Sequence, residues 1–256
     1  MTALTQINCC VIIPTYNNAK TLAKIIEGVL KYSSGNDVIV INDGSADNTA
    51  DVLEQYKNKI IILSNSKNTG KGFSLRKGFR EAIRLGFQNA ITVDSDGQHF
   101  PDDIPEFISA SAKNRDALLM GLRNMNQKGV PKKSSFGNKF SNFWVWIETG
   151  ISLPDTQTGF RLYPLESIKQ IKLITTKFET EIEILVKLAW NGTKIISLPI
   201  NVLYDKNEQI SHFRPLHDFI RISILNTCLV IFALLYHLPK HLIKKIYNKG
   251  LWTLIK

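Results

Sequence analysis

The chain has 256 residues, 44% of them apolar, and a formal net charge of +10. That length suits one large domain, or one domain with an appendage, and the apolar share excludes global disorder. From residue 211 onward seven Lys and Arg face a single acid, Asp218, so +6 of the excess lies in the last 46 residues. This asymmetry predicts a tail that faces an anionic surface, either membrane or nucleic acid. Three cysteines, Cys9, Cys10 and Cys228, match no zinc spacing and read as core thiols in a reducing compartment. The chain reaches CCVIIP without a basic start and an apolar core, so no secretion signal is expected.

In chain order, CCVIIPT (9–15) is an apolar run that reads as a buried strand. Ala19, Leu22, Ile25, Ile26, Val29 and Leu30 then recur at helical spacing. VIVI (38–41) predicts a second strand, residues 47–57 a helix, and IIIL (60–63) a third strand. Residues 71–85 form an amphipathic pattern through Phe79, Ala82 and Ile83, and AITV (90–93) is the fourth strand. Pro101 with Asp102 and Asp103 opens a further helix, since proline and acids are favoured in a first turn, and ALLM (117–120) follows as a fifth strand. This alternation predicts an α/β fold with a mainly parallel sheet and helices on both faces. From 121 to 139 the chain is polar and basic and reads as a long loop. An aromatic-rich helix (140–150), a strand at TGFRLYP, a helix at FETEIEILVKLAW and a last strand at TKIISLPI complete the pattern.

The end of the chain is different. Its longest unbroken apolar run, CLVIFALLY (228–236), has nine residues. A spanning helix needs about 20. Counting from Ile222 gives a marginal candidate that stops at Pro239, and the segment beyond mixes Leu, Ile and Trp with Lys and His. That composition fits a helix lying among lipid headgroups, and a core helix followed by a solvated tail is the plain alternative.

In such sheets ligands bind beyond the carboxyl ends of the strands, where 14–18, 42–45 and 94–98 all fall. Asp94 and Asp96 stand two apart in an extended segment, so both can face one hard cation, with an amide oxygen added by Gln98. Mg²⁺ or Mn²⁺ suits such oxygen donors and leaves positions for phosphate. A solvated acidic turn is the plain alternative. A phosphatase nucleophile is set aside, because that D-x-D commonly follows the first strand and precedes Thr, whereas this one follows the fourth and runs DSDGQ. In NDGSADNT (42–49), Ser45 or Asp47 suits a helix cap, which leaves Asp43 able to accept from a nucleobase N–H. Tyr16 in PTYNN suits stacking beside a base or plain packing, and Lys71 in NTGKG suits a phosphate or a helix start.

P-T-Y-N, D-G-S, N-x-G-K-G and D-x-D-x-Q, in this order after successive strands, resemble family 2 glycosyltransferases. Within that family the chain is most similar to the polyprenyl-phosphate and dolichyl-phosphate sugar synthases, over about residues 9–205. The resemblance implies a GT-A fold, a GDP- or UDP-hexose donor, a divalent cation and inversion at the anomeric carbon. It implies a base contact by Asp43, a donor pocket at Pro14 and Tyr16, and a metal and diphosphate site at Asp94, Asp96 and Gln98. Arg123 in GLRN matches a phosphate-neutralising arginine. Lys133 and Lys139 fall among basic acceptor-loop positions, and DTQTGFRLY matches an acceptor segment through Asp155 and Arg161. Asn42 and Asn18 stand where the family often has Asp and Glu, which bears on the donor sugar and base.

The expected product is a sugar on a polyprenyl phosphate at the cytoplasmic membrane face, made by a catalytic domain over 1–210 with a membrane-associating 211–256. A hydroxyl acceptor would need a base, Asp155 or Glu181, although Glu181 also reads as the solvated face of its helix. A lipid phosphate would instead need cations, with Lys133, Lys139, Arg161, His212 and Arg214 as candidates and Arg221 near the headgroups. A non-catalytic nucleotide-sugar-binding module is the rival of another class, against which the intact DSDGQ argues. No nucleic-acid partner is expected, because the basic residues are not interleaved with aromatics on a sheet or reading helix.

Overall fold

A computed structural model describes residues 2–125, 130, 132–203, 215–237 and 239, with the side chains of 132–134 and 215–216 outside that description. The elements in chain order are β1 (Cys9–Thr15), α1 (Ala19–Leu30), β2 (Val38–Asn42), α2 (Thr49–Glu54), β3 (Ile61–Ser64), α3 (Lys71–Arg84) and β4 (Asn89–Thr92). They continue as α4 (Ile104–Lys113), β5 (Leu118–Arg123), α5 (Lys132–Thr149), β6 (Arg161–Pro164), α6 (Leu165–Lys169), α7 (Thr180–Trp190), β7 (Ile195–Ile200) and α8 (Pro215–Phe232). Pro101–Asp103 forms a single 3₁₀ turn ahead of α4.

Every residue of β1 is buried because each of its faces carries a core. Cys9, Val11 and Ile13 pack with Leu22, Ile26, Val29, Ile104 and Phe107 of α1 and α4. Cys10 and Ile12 point the other way, into Leu75 and Phe79 of α3 and Ile184 and Leu188 of α7. Helix α3 lies so close to the sheet that a Cβ at Gly78 would come 2.6 Å from Ile12.

The seven strands run in the order β3-β2-β1-β4-β6-β5-β7, parallel except for β6. The chain moves outward from β1 to β2 and β3, then returns to place β4 on the other side of β1. The switch point therefore lies between β1 and β4, where a crevice opens at the carboxyl ends. Pro14 has no N–H to donate and is tolerated because it lies beyond the last β1–β4 pair, Ile12 with Thr92.

Four expectations change. Cys228 is exposed on α8, so of the three cysteines Cys9 and Cys10 alone are core thiols. The polar stretch before residue 140 is not all loop, since α5 begins at Lys132. Helix α7 is buried almost all round because α3, α5 and α6 surround it. Glu181 is therefore buried and is not on a solvated face. Helix α8 does not stand apart from the first 210 residues, because Ile222, Leu225 and Leu229 belong to the same core as Leu75 and Phe79. Its opposite face is apolar and outward, with Ile224 61% and Leu235, just beyond α8, 77% exposed. His217–His237 is, among the described residues, the helix long and apolar enough to cross a membrane, with 21 residues at mean hydropathy 2.0. Residues 136, 143 and 146 of α5 add Phe, Phe and Trp to the exposed apolar surface.

Candidate active site

The crevice at the switch point is a cavity of about 350 Å³. Its wall takes Pro14, Thr15 and Tyr16 from the end of β1, Asp43 from the end of β2 and Asp94 to Asp96 from the end of β4. Gly70, Lys71 and Ser74 come from the start of α3, and His217, Asp218 and Arg221 from the first turns of α8.

The DSD segment is oriented by its middle residue. Ser95 Oγ donates to the Pro14 carbonyl at 3.0 Å and accepts from Asn18 Nδ2 at 2.8 Å, while the Ser95 carbonyl accepts from Thr21 Oγ1 at 2.6 Å. With Ser95 tied back to β1 and α1, both flanking aspartates line the cavity. Asp94 is seated against Gly159, where a Cβ would lie 2.2 Å from Oδ2, and the Gly159 carbonyl is fixed by Thr92 Oγ1 at 2.7 Å. Asp96 Oδ1 accepts from the Gln98 N–H at 3.0 Å.

The loops beside the pair lock one another. Asp47 accepts from the N–H groups of Ala19 and Thr49 at 3.1 and 3.0 Å, and Asn17 Oδ1 accepts from Ala46 N–H at 2.8 Å. Asp47 thus holds the start of α1 as well as α2, and these bonds keep its carboxyl below the usual range although burial opposes them. Asp43 accepts from Thr69 N–H at 3.0 Å and Gly70 N–H at 2.7 Å, with Thr69 Oγ1 and Asn65 Nδ2 also on Oδ1. Its carboxylate therefore clamps the 65–70 loop into the cavity wall. Gly70 meets that bond at φ +106°, a conformation other residues rarely adopt.

Charge is uneven across the pair. Burial pushes Asp94 upward, but the Lys71 ammonium at 2.6 Å outweighs it and holds the carboxyl below its ordinary value. Burial and then the Asp94 charge raise Asp96. The site thus carries negative charge that Lys71 does not fully offset. Two hard oxygen donors in a cavity with room for phosphate and water fit Mg²⁺ or Mn²⁺. No three His, Cys, Asp or Glu side chains among the described residues form a closed metal cage. Gln98 supplies its backbone to Asp96 and is not part of the cavity wall.

Several candidate residues are engaged within the protein. Arg161 is fully buried and donates to the carbonyls of Thr158, Glu181 and Thr156 at 2.7, 2.9 and 2.9 Å, so it braces the TGF turn against α7 and does not face an acceptor. Arg123 forms a two-pronged pair with Asp155 at 2.7 and 2.9 Å. Glu181 Oε2 lies 2.9 Å from Lys71 Nζ. Lys139 is exposed on α5 and outside the cavity wall. The Lys133 side chain, His212 and Arg214 lie outside the described residues.

Sequence reasoning missed Lys177, Phe178, His217 and Asp218 as wall residues. The segment 211–221 drew notice for its charge, yet nothing in a linear pattern places the first turns of α8 opposite β4. Arg221, at the same wall, pairs with Glu179 at 2.6 Å.

Similar proteins agree with this architecture. The chain is 28% identical over 213 residues to the UDP-N-acetylglucosamine–dolichyl-phosphate N-acetylglucosaminyltransferase of Methanococcus voltae, covering 75% of this chain and 84% of that one. It is 26% identical to the undecaprenyl-phosphate mannosyltransferase of Micrococcus luteus, covering 74% and 81%. Glucosyl-3-phosphoglycerate synthase of Mycobacterium tuberculosis, solved with Mn²⁺, UDP and phosphoglyceric acid, superposes with a TM-score of 0.67 at 16% identity, covering 92% of this chain and 80% of that one. That likeness establishes the GT-A fold. The description of glycosyl transferase family 2 matches residues 10–172, well over half of the molecule, and the chain belongs to that family of glycosyltransferases.

Proposed function

We propose that the chain transfers a hexose from a GDP- or UDP-sugar to a polyprenyl phosphate at the cytoplasmic face of the membrane, with inversion at the anomeric carbon. The observation that carries this reading is the double role of α8. His217, Asp218 and Arg221 wall the cavity that holds the aspartate pair, while Phe219, Ile220 and Ile224 of the same turns face outward. One helix thus links the reaction cavity to an apolar surface, as a lipid-borne acceptor requires. The names of the Methanococcus and Micrococcus relatives, both specifying a polyprenyl or dolichyl phosphate, support the same acceptor class. The +6 tail suits the anionic cytoplasmic leaflet.

In this reading Pro14 and Tyr16 wall the nucleoside, and Asp43 keeps the 65–70 loop closed against it. Asp94 and Asp96 hold Mg²⁺ or Mn²⁺, which when bound supplies positive charge to the departing diphosphate. An acceptor phosphate oxygen bonds to C1 as the bond from C1 to the diphosphate oxygen breaks. A phosphate monoester with a second pKa of about 6 is already ionised at neutral pH and needs no base. The carboxylates considered as bases for a hydroxyl acceptor are committed elsewhere, Asp155 to Arg123 and Glu181 to Lys71, which favours the phosphate. Because α8 packs one face into the core, it suits lying along the membrane surface better than crossing it.

Membranes carrying the protein, incubated with labelled nucleotide sugars, are expected to transfer label into a lipid extract as an acid-labile phosphodiester, and chelator should abolish it. Label that appears only in acid-stable glycolipid would overturn the phosphate acceptor.

A further inference from the structure

Lys71 stands where a cation would neutralise Asp94. Its Nζ lies 2.6 Å from Asp94 Oδ1 and 2.9 Å from Glu181 Oε2, and all three side chains are largely enclosed. Asp94 cannot withdraw, because Oδ2 rests against Gly159. Mg²⁺ binds oxygen ligands at about 2.0–2.1 Å. An ion on Oδ1 and an ammonium on the same oxygen would repel each other across a few ångströms in a poorly solvated site.

Glu181 offers the ammonium a second place. Its Oε1 is buried and has no hydrogen-bond partner among the described residues, and an ammonium has three donors to distribute. The Glu181 backbone is held by Arg161, whose guanidinium donates to its carbonyl at 2.9 Å. A small rotation at the end of the Lys71 side chain would exchange Asp94 for both oxygens of Glu181 without leaving a buried charge unpaired.

We propose that Lys71 is a built-in counter-ion that competes with the divalent cation for Asp94, and that Glu181 is the positioning residue that receives it when the cation enters. This inference rests on the aspartate pair being a cation site. It gives Lys71 a resting function, neutralising Asp94, and makes loading of the site depend on a residue that need not touch the metal.

The test is titration of the full chain with Mn²⁺ alone, following free Mn²⁺ by electron paramagnetic resonance. Lys71→Met is expected to bind Mn²⁺ about tenfold more tightly than the wild type, because the competing charge is gone. Glu181→Gln is expected to bind it about tenfold more weakly, because Asp94 is then the sole carboxylate partner of Lys71. Lys71→Arg keeps the charge and should stay within about twofold of wild type. A merely structural lysine predicts loss of affinity in Lys71→Met, and that result, or an unchanged affinity in Glu181→Gln, overturns the proposal. Mn²⁺ binding that disappears in Asp96→Asn but ignores Lys71 would remove the counter-ion and leave the cation site standing. Absence of binding in both the wild type and Lys71→Met would remove both.

Discussion

Replacing Gly159 with Ala isolates the geometry of the aspartate pair. The new methyl carbon would lie 2.2 Å from Asp94 Oδ2, 2.7 Å from Cγ and 2.8 Å from Oδ1. Ordinary contact for such atoms begins near 3.4 Å, so the carboxyl must retreat by about 1 Å. The backbone on the other side has little freedom, because the Gly159 carbonyl is bound by Thr92 Oγ1 and the next strand pairs Arg161 with Thr92. Gly159 is not among the glycines at positive φ, so the substitution adds bulk without backbone strain. Overpacking of this kind costs about 1–3 kcal/mol, which lowers the melting temperature by roughly 2–12 °C in a domain of this size. The larger effect falls on catalysis, where misplacing a reacting or ligating group by about 1 Å can cost on the order of 100-fold. Sugar transfer and Mn²⁺ titration on one preparation separate the two effects. The expected result is a folded protein with kcat/KM down about 100-fold and weakened Mn²⁺ binding. A Gly159→Ala protein that keeps wild-type transfer and Mn²⁺ affinity would refute the assignment of Asp94 to the reaction.

Asp96→Asn should lower transfer by about 100- to 1,000-fold. In chelator at pH 7 it should melt no lower than the wild type. A carboxyl raised by folding favours the fold while protonated, and that stability is lost as pH rises through its folded value, so removing the charge relieves the fold at neutral pH. The difference should vanish in acid, as thermal melts across pH can check. Glu148 on α5 is buried without a hydrogen-bond partner for either carboxyl oxygen among the described residues, and burial pushes it up to about 8. Wild-type stability should therefore fall as pH rises from the ordinary carboxylate range to about 8, and Glu148→Gln should flatten that slope in denaturant titrations. Arg123→Met leaves Asp155 buried and unpaired and should cost about 3–5 kcal/mol, whereas Arg123→Met with Asp155→Leu should recover most of it. If the two variants prove equally unstable by urea unfolding, the pair does not act as a unit.

The strands were readable because a segment buried on both faces is a short continuous apolar run between turn residues, as in CCVIIPT and VIVI. The acidic pair was readable because alternation along an extended chain follows from local geometry. Glu181 was misplaced because a glutamate near the start of a helix looks the same whether it meets water or a lysine from another helix. Arg161 was misread for a related reason. A guanidinium can serve a ligand or three backbone carbonyls, and only the turn that brings 156, 158 and 181 around it decides which.

By itself the sequence determined the alternation of strands and helices, the family and the two carboxylates at a strand end, because each depends on residues near one another along the chain. The tertiary structure decided which charges are spent on one another and which wall the cavity receives. Lys71 meets Glu181 across 110 positions, and α8 returns to close a crevice opened by the first half of the chain. Such pairings are chosen by packing, since a buried charge must find a partner, and no local pattern records where that partner will stand.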